Sequence, residues 1–414
     1  MATTQTQAAP FRRVIWIVLD GVGAGELPDA NQFGDGGSNT LGNLARVYFS
    51  KTGKRLELPQ MAKLGLGNIT EMPGVPALTS GQGKGAWGKA AELSRGKDTT
   101  SGHWEMAGLV VKTAFKTFPD GFPQEIVDRW CQENNLPGVL GNCPASGTTI
   151  IDELGPEHLK TGKPILYTSA DSVWQVAASE ETFGLQRLLD ICKSARKMGD
   201  ELGIGRVIAR PFVGNPAEGK PFKRTYNRKD YAQLPFARTI LNQLEDAAVP
   251  ILGIGKISNI FAGQGIPKNI DTAGNTDGLR VTLEQLDEFK HGLMFVNLID
   301  FDMLYGHRRD VTGFAQALVE FDEFLPKILS KMDAQDLLIL ASDHGNDPTY
   351  PGTDHTREYI PLLAYAPAAP EGAKHLGTRG SFADVGATVV DALLGQRPED
   401  GCAGHSFLPE VLHS

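Results

Sequence analysis

Three apolar runs in this 414-residue chain share one design, a strand-like stretch that ends directly in acidic residues. Val14-Ile-Trp-Ile-Val-Leu19 runs into Asp20-Gly21. Leu293-Met-Phe-Val-Asn-Leu-Ile299 runs into Asp300-Phe-Asp302, and Leu337-Leu-Ile-Leu-Ala341 into Ser342-Asp343-His344-Gly345. Continuous apolar runs of this length suit strands buried on both faces, as in a parallel sheet. Between the second and third runs, Phe314, Ala317, Leu318, Phe321, Leu325 and Ile328 share one helical face over residues 313–331, with Pro326 expected to kink or split the helix. A strand, a helix and a strand in that order make a βαβ unit with parallel strands. Ligands of open α/β sheets bind beyond the carboxyl ends of the strands, so three strands that deliver carboxylates to one edge predict one site. The fold class is α/β, a mostly parallel sheet between helices.

The middle of the chain has a different texture. Helices are expected at Pro123–Asn134 and Thr182–Met198 and strands at Pro164–Thr168 and Arg206–Phe212, with Gly- and Pro-rich joints at Asp120-Gly-Phe-Pro123 and Gly214–Pro221. No strand there ends in a ligand-like cluster. The expected organisation is a disordered tail over 1–10, a discontinuous core domain over 11–113 and 231–414, and an inserted α+β domain over 114–230.

Composition narrows the function. Forty Lys+Arg against 49 Asp+Glu leave a net charge of −9, which argues against a general nucleic-acid or membrane-surface binder. The basic residues are nevertheless concentrated: residues 193–229 hold 10 Lys+Arg against 3 Asp+Glu, a pattern suited to an anionic small substrate. Cys131, Cys143, Cys192 and Cys402 lack any CxxC spacing and define no zinc knuckle or disulfide framework. No run approaches the roughly 18 apolar residues of a membrane span, and the first ten residues lack the basic and apolar regions of a signal peptide. The expected compartment is the cytosol.

Asp302 and His307 share one turn beyond a strand, Asp343-His344 supply an adjacent pair, His355 follows in Thr353-Asp-His-Thr-Arg357, and Asp20 comes from the first strand. Mixed Asp/His ligands without thiolate suit Mn²⁺, Zn²⁺ or Fe²⁺ and disfavour Ca²⁺. Six such ligands are too many for one cation in an open catalytic site, so two are inferred, a pairing used for in-line phosphoryl displacement. Gly96-Lys-Asp-Thr-Thr-Ser-Gly-His-Trp-Glu105 offers three adjacent hydroxyls, any of which becomes a nucleophile beside a dication.

Val18-Leu-Asp-Gly-Val-Gly23, Gly96–Thr99 through Gly102-His-Trp-Glu105, Asp300-Phe-Asp-Met-Leu-Tyr-Gly-His-Arg-Arg-Asp310 and Asp343-His-Gly-Asn-Asp-Pro-Thr349 together closely resemble the phosphopentomutase family of the alkaline phosphatase superfamily. The resemblance extends through nearly the whole chain after residue 10. It implies an alkaline-phosphatase-like core with an inserted cap, and Thr99 as a nucleophile phosphorylated in the active enzyme. It implies one metal at Asp20, Asp343, His344 and the Thr99 oxygen, another at Asp302, His307 and His355, and Mn²⁺ as the preferred ion.

In the cap, Tyr167-Thr-Ser-Ala-Asp-Ser172 matches the segment that orients the ribose, which points to Ser169 and Asp171. Arg210 and Arg224 match the arginines on the distal phosphate, and Lys256 a core-domain lysine near it. Guanidinium forks suit a phosphate. The implied reaction interconverts ribose 1-phosphate and ribose 5-phosphate, and the 2-deoxyribose pair, through a sugar 1,5-bisphosphate. A sugar bisphosphate (ribose 1,5- or glucose 1,6-) is the implied activator, small sugar phosphates the only partners, and a monomer the expected state. The rival readings are a phosphomonoesterase or a cofactor-independent phosphoglycerate-mutase-like enzyme on the same core, and, from another class, an inactive metal-stabilised binding protein.

Overall fold

The computed structural model describes residues 9–169 and 172–413. In chain order its strands are β1 (Arg13–Leu19), β2 (Ala86–Ala90), β3 (Leu140–Pro144), β4 (Ile165–Thr168), β5 (Val173–Ser179), β6 (Arg206–Asn215), β7 (Lys220–Arg224), β8 (Lys229–Ala232), β9 (Ile251–Ile254), β10 (Lys268–Ile270), β11 (Gly292–Leu298), β12 (Asp336–Ala341), β13 (Ile360–Tyr365) and β14 (Lys374–Arg379). They fall into two compact units, one of Met1–Ala114 with Pro235–Ser414 and one of Phe115–Leu234. The second junction lies later than the expected 230/231, because Lys229–Ala232 is a strand of the inserted unit, paired antiparallel with β6.

The first unit is built on an eight-stranded sheet in the order β10-β9-β11-β1-β12-β13-β2-β14. Its left five strands are mutually parallel, and β13 runs against both β12 and β2. The three apolar runs are therefore neighbours. All seven residues of β1 are buried, as expected of a central strand covered on both faces. One face carries Ile15, Ile17, Met294, Val296, Leu338 and Leu340 against Phe314, Leu318, Phe321 and Leu325. Each such side chain contributes about 1.5–3 kcal/mol on burial. The other face stacks Trp16 on Phe295, with centroids 4.0 Å apart, and packs against the helix Ala383–Leu394.

The register places Leu19 opposite Leu298 and Val18 opposite Ala341. Asp20, Asp302 and Asp343 therefore leave the sheet at one edge. The connecting helix runs as one element over Val311–Leu329 with Pro326 inside it, so it is not split there. Proline there removes only the hydrogen bond to the Asp322 carbonyl, close to the helix end, and the buried apolar face holds the last turn in place.

The second unit has a sheet of order β3-β4-β5-β6-β7, with β8 also on β6. One face packs Trp174, Val176 and Val207 against Trp130, Leu188 and Ile191 of two helices, Gln124–Glu133 and Leu185–Leu202. The opposite face packs Tyr167, Ala177 and Phe212 against Ile150 and Ile151 of a third helix, Thr149–Thr161. Among the described residues no helix is long and apolar enough to cross a membrane.

Candidate active site

Beyond the carboxyl ends of β1, β11 and β12 the strands give way to tight turns that carry polar side chains inward. Asp20, Asp343, His344 and His355 are almost fully buried there, Asp302 nearly so, and His307 is partly exposed. Two ligand groups have their donor atoms within 4.8 Å of one another: Asp302 with His307 and His355, and Asp20 with Asp302 and His344. Asp302 belongs to both. His355 Nε2 and His307 Nε2 lie 3.2 Å from Asp302 Oδ1 and Oδ2 respectively. His344 Nε2 lies 3.4 Å from both Asp20 Oδ1 and Asp343 Oδ2. Asp343 is thus adjacent to the second group through His344.

The imidazoles are held from behind. His344 Nδ1 donates to the Gly345 carbonyl and His307 Nδ1 to that of Thr353, so each presents Nε2 to the site. The helix Thr99–Met106 starts at the same place. Asp98 caps it, accepting from the N–H groups of Thr100 and Ser101. Of the three adjacent hydroxyls, Thr99 Oγ1 stands 3.1 Å from His344 Nε2, while Ser101 Oγ donates to Asp98 Oδ2 at 2.7 Å.

These residues fit a pair of dications. His355 Nε2 and His307 Nε2 face each other at 3.2 Å, a poor arrangement for two neutral acceptors. Asp20 Oδ1 and Asp343 Oδ2 are buried without a hydrogen-bond donor; His103 Nδ1 is 3.1 Å from Asp343 Oδ2, but its proton is directed to the Thr99 carbonyl at 2.9 Å. Burial pushes the carboxyl groups up, and their neighbours then divide them. Asp20, facing Asp343, is raised, whereas His355 and His307 hold Asp302 well below the ordinary carboxylate range. Unpaired buried carboxylate oxygens of this kind are costly unless a cation meets them.

Sequence reading passed over the residues that hold the ligands. Asn297 Nδ2 donates to Asp20 Oδ2 at 2.8 Å, and Asn346 Nδ2 to Asp302 Oδ1 at 2.6 Å. Arg357, two residues past His355, binds Glu92, Asp29 and the carbonyls of Ser94 and Gly96, and so ties the His355 loop to the segment before Thr99. Asn297 had a signal available, as the one polar residue inside an apolar run. Asn346 and Arg357 had none beyond their nearness to ligands.

Lys256 follows β9, at the same edge of the sheet. In the second unit, Arg210 on β6 is half-buried with Nε donating to Gln175 Oε1, and Arg224 on β7 is exposed. Burial pushes the Tyr167 hydroxyl up, and the positive charges of Arg210, Arg224 and Arg228 oppose that. Arg228, held by Asp230 at 2.7 and 2.8 Å, was not singled out from the sequence. Ser169 lies just past β4 and is half-buried, and Asp171 lies outside the described residues.

A mostly parallel sheet whose strand ends gather carboxylates and imidazoles defines a metalloenzyme, and the family model described as the Metalloenzyme superfamily matches residues 12–396. A phosphopentomutase of Caldanaerobacter subterraneus subsp. tengcongensis is 53% identical over 383 residues, covering 92% of this chain and 94% of that one. A phosphopentomutase of Symbiobacterium thermophilum is 52% identical over 404 residues, covering 97% and 99%. Among solved structures, a protein of Pyrococcus horikoshii matches with a TM-score of 0.47 and 14% identity, covering 94% and 99%. The chain belongs to the phosphopentomutase family within that superfamily, and is an enzyme of the isomerase class.

Proposed function

We propose that this enzyme interconverts α-D-ribose 1-phosphate and ribose 5-phosphate, and the corresponding 2-deoxyribose phosphates, through phospho-Thr99 and a sugar 1,5-bisphosphate. The observation that carries the reading is the Thr99 hydroxyl, 3.1 Å from His344 Nε2 at the rim of the ligand cluster. The ligands are Asp20, Asp343, His344 and the Thr99 oxygen for one ion and Asp302, His307 and His355 for the other. The ions are proposed to be Mn²⁺, in keeping with a donor set of oxygen and imidazole nitrogen. When bound, such a pair lowers the pKa of a hydroxyl and neutralises charge on the attacking and leaving oxygens of the displacement.

The chain's own groups do the rest. Asp98 caps the first helical turn, the one that carries Thr99. Phospho-Thr99 transfers its phosphoryl group to the free hydroxyl of a sugar monophosphate: the bond from phosphorus to Thr99 oxygen breaks, a bond to the sugar oxygen forms, and the proton of the sugar hydroxyl ends on the freed Thr99 oxygen. The bisphosphate then turns round and returns its other phosphoryl group to Thr99. Arg210 and Arg224 bind the second phosphate, Ser169 and Asp171 orient the ribose, and Lys256 is a further phosphate ligand. The partners are small sugar phosphates, the activator a ribose 1,5- or glucose 1,6-bisphosphate, and the enzyme a cytoplasmic monomer.

The test is turnover of ribose 1-phosphate to ribose 5-phosphate with Mn²⁺ and a trace of glucose 1,6-bisphosphate, against 3-phosphoglycerate and p-nitrophenyl phosphate. Preference for either of the latter favours the phosphoglycerate-mutase or phosphomonoesterase reading and removes this one.

A further inference from the structure

Arg309 adopts φ 56°, in the left-handed region that a non-glycine residue rarely occupies. Its guanidinium reaches five acceptors. Nε donates to the Gly352 carbonyl at 2.6 Å and Nη2 to that of Asp354 at 2.8 Å. Nη1 donates to Asn346 Oδ1 at 2.6 Å and to the carbonyls of Gly306 and Asp347, both at 3.0 Å. Uncommon backbone geometry spent on a side chain that meets only neutral acceptors calls for an explanation.

The acceptors supply it. Asp302, His307 and His355 come from two loops, and their convergence depends on how those loops are held together. Arg309 leaves the first loop two residues after His307 and binds the carbonyls on either side of Thr353, whose own carbonyl receives His307 Nδ1. The same guanidinium decides the orientation of Asn346. With Oδ1 taken by Arg309, the Asn346 amide nitrogen must face Asp302, to which it donates at 2.6 Å. A flipped amide would put oxygen against the carboxylate. A donor whose own oxygen is bound to a cation is also polarised toward stronger donation.

We propose that Arg309 is a positioning residue which, acting through Asn346 and the 352–354 segment, sets the metal affinity of the Asp302, His307 and His355 site and leaves the Asp20, Asp343 and His344 site essentially alone. It touches neither metal nor substrate in this role. The proposal rests on the two-cation reading above, and its test separates the two.

Metal-free wild type, Arg309→Gly, Arg309→Lys and Asn346→Ala are titrated with Mn²⁺ by calorimetry and by the electron paramagnetic resonance of the bound ions. Glycine tolerates φ 56°, so Arg309→Gly removes the fork without backbone strain. Arg309→Lys keeps the charge and main chain should the glycine variant fail to fold. The expected result is two sites in the wild type. Each variant should keep one site within twofold and weaken the other at least tenfold, with loss of the spin coupling between paired ions. Turnover should return toward the wild-type kcat as Mn²⁺ is raised, so the activation constant moves more than kcat. Two sites in the wild type with both affinities within twofold in folded variants overturn the proposal alone. A wild type that binds a single Mn²⁺ overturns the two-cation reading and the proposal with it.

Discussion

Thr99 Oγ1 and His344 Nε2 stand 3.1 Å apart although 245 residues separate them in the chain. The contact joins the first residue of a short capped helix to the turn that follows β12. It therefore brings a hydroxyl within hydrogen-bond distance of a buried imidazole of the candidate ligand cluster.

That contact makes Thr99 the residue to test first. Thr99→Ala should fold and bind metal yet show neither phosphorylation nor mutase turnover, whatever bisphosphate is added. Purified wild type should be partly inactive and recover on addition of a sugar bisphosphate, because a bare hydroxyl cannot phosphorylate a monophosphate. Intact-mass and peptide analysis check both, with the phosphoryl group expected on Thr99. Full activity of the alanine variant, or modification at Thr100 or Ser101, contradicts the assignment.

Gly102 lies one turn further along the same helix, and a Cβ there would come 1.9 Å from the Asp343 carbonyl oxygen. That neighbour is backbone and cannot swing away. Gly102→Ala should displace the helix from the β12 turn and lower turnover on the order of a hundredfold or more, as expected when a reacting group is misplaced by about 1 Å. Gly380→Ala, which meets nothing within 4 Å, is the control and should be silent. Steady-state kinetics and metal analysis of both variants decide it.

The ligands should act together. Asp343→Ala or His355→Ala should reduce turnover by orders of magnitude and lower bound metal in a protein that still unfolds cooperatively. A variant that keeps full metal content and more than about a tenth of the rate removes that residue from the ligand set.

Glu358 gives a pH dependence. Burial, then the nearby Asp347 carboxylate, push its pKa from the ordinary 4.5 up to about 7, although Thr40 and Thr356 donate to it. Between those values the folded enzyme holds a proton that the unfolded chain has lost, so stability falls as pH rises across the interval and is level on either side. The loss from this group is at most about 3 kcal/mol. Urea unfolding of the metal-free enzyme at several pH values should show it, and Glu358→Gln should flatten that part of the profile. An unchanged slope in the variant would assign the proton elsewhere.

Arg210→Ala should raise KM for ribose 5-phosphate strongly, because a charge-assisted hydrogen bond to phosphate is worth roughly 1.5–3 kcal/mol. kcat falls too if that binding energy helps align the sugar. Kinetics indistinguishable from wild type would take Arg210 out of the site.

Much of this was legible in the sequence for a local reason. A run such as Val14–Leu19 that is apolar throughout declares a strand covered on both faces, and covalent continuity then puts Asp20 at its end. The same holds for Asp302 after β11 and Asp343 after β12, so the carboxylate edge and the metal class followed without coordinates. Asn297 was visible but unread, because one amide in an apolar run does not say which ligand it will meet. That Pro326 does not split its helix was not legible, because proline's cost depends on where in the helix it falls and on how firmly the last turn is packed.

What the sequence determined by itself was the set of chemical groups and the strands that carry them, since both depend on residues adjacent in the chain. The tertiary structure alone decided that β11, β1 and β12 are neighbours in that order, and that Asp302 faces both ligand groups. It alone selected Thr99 rather than Ser101 to face His344, and brought Arg309 and Asn346 together behind Asp302. Those are contacts between irregular turns separated by tens to hundreds of residues. No periodicity encodes them, and they exist only once sheet order and register have placed the strand ends side by side.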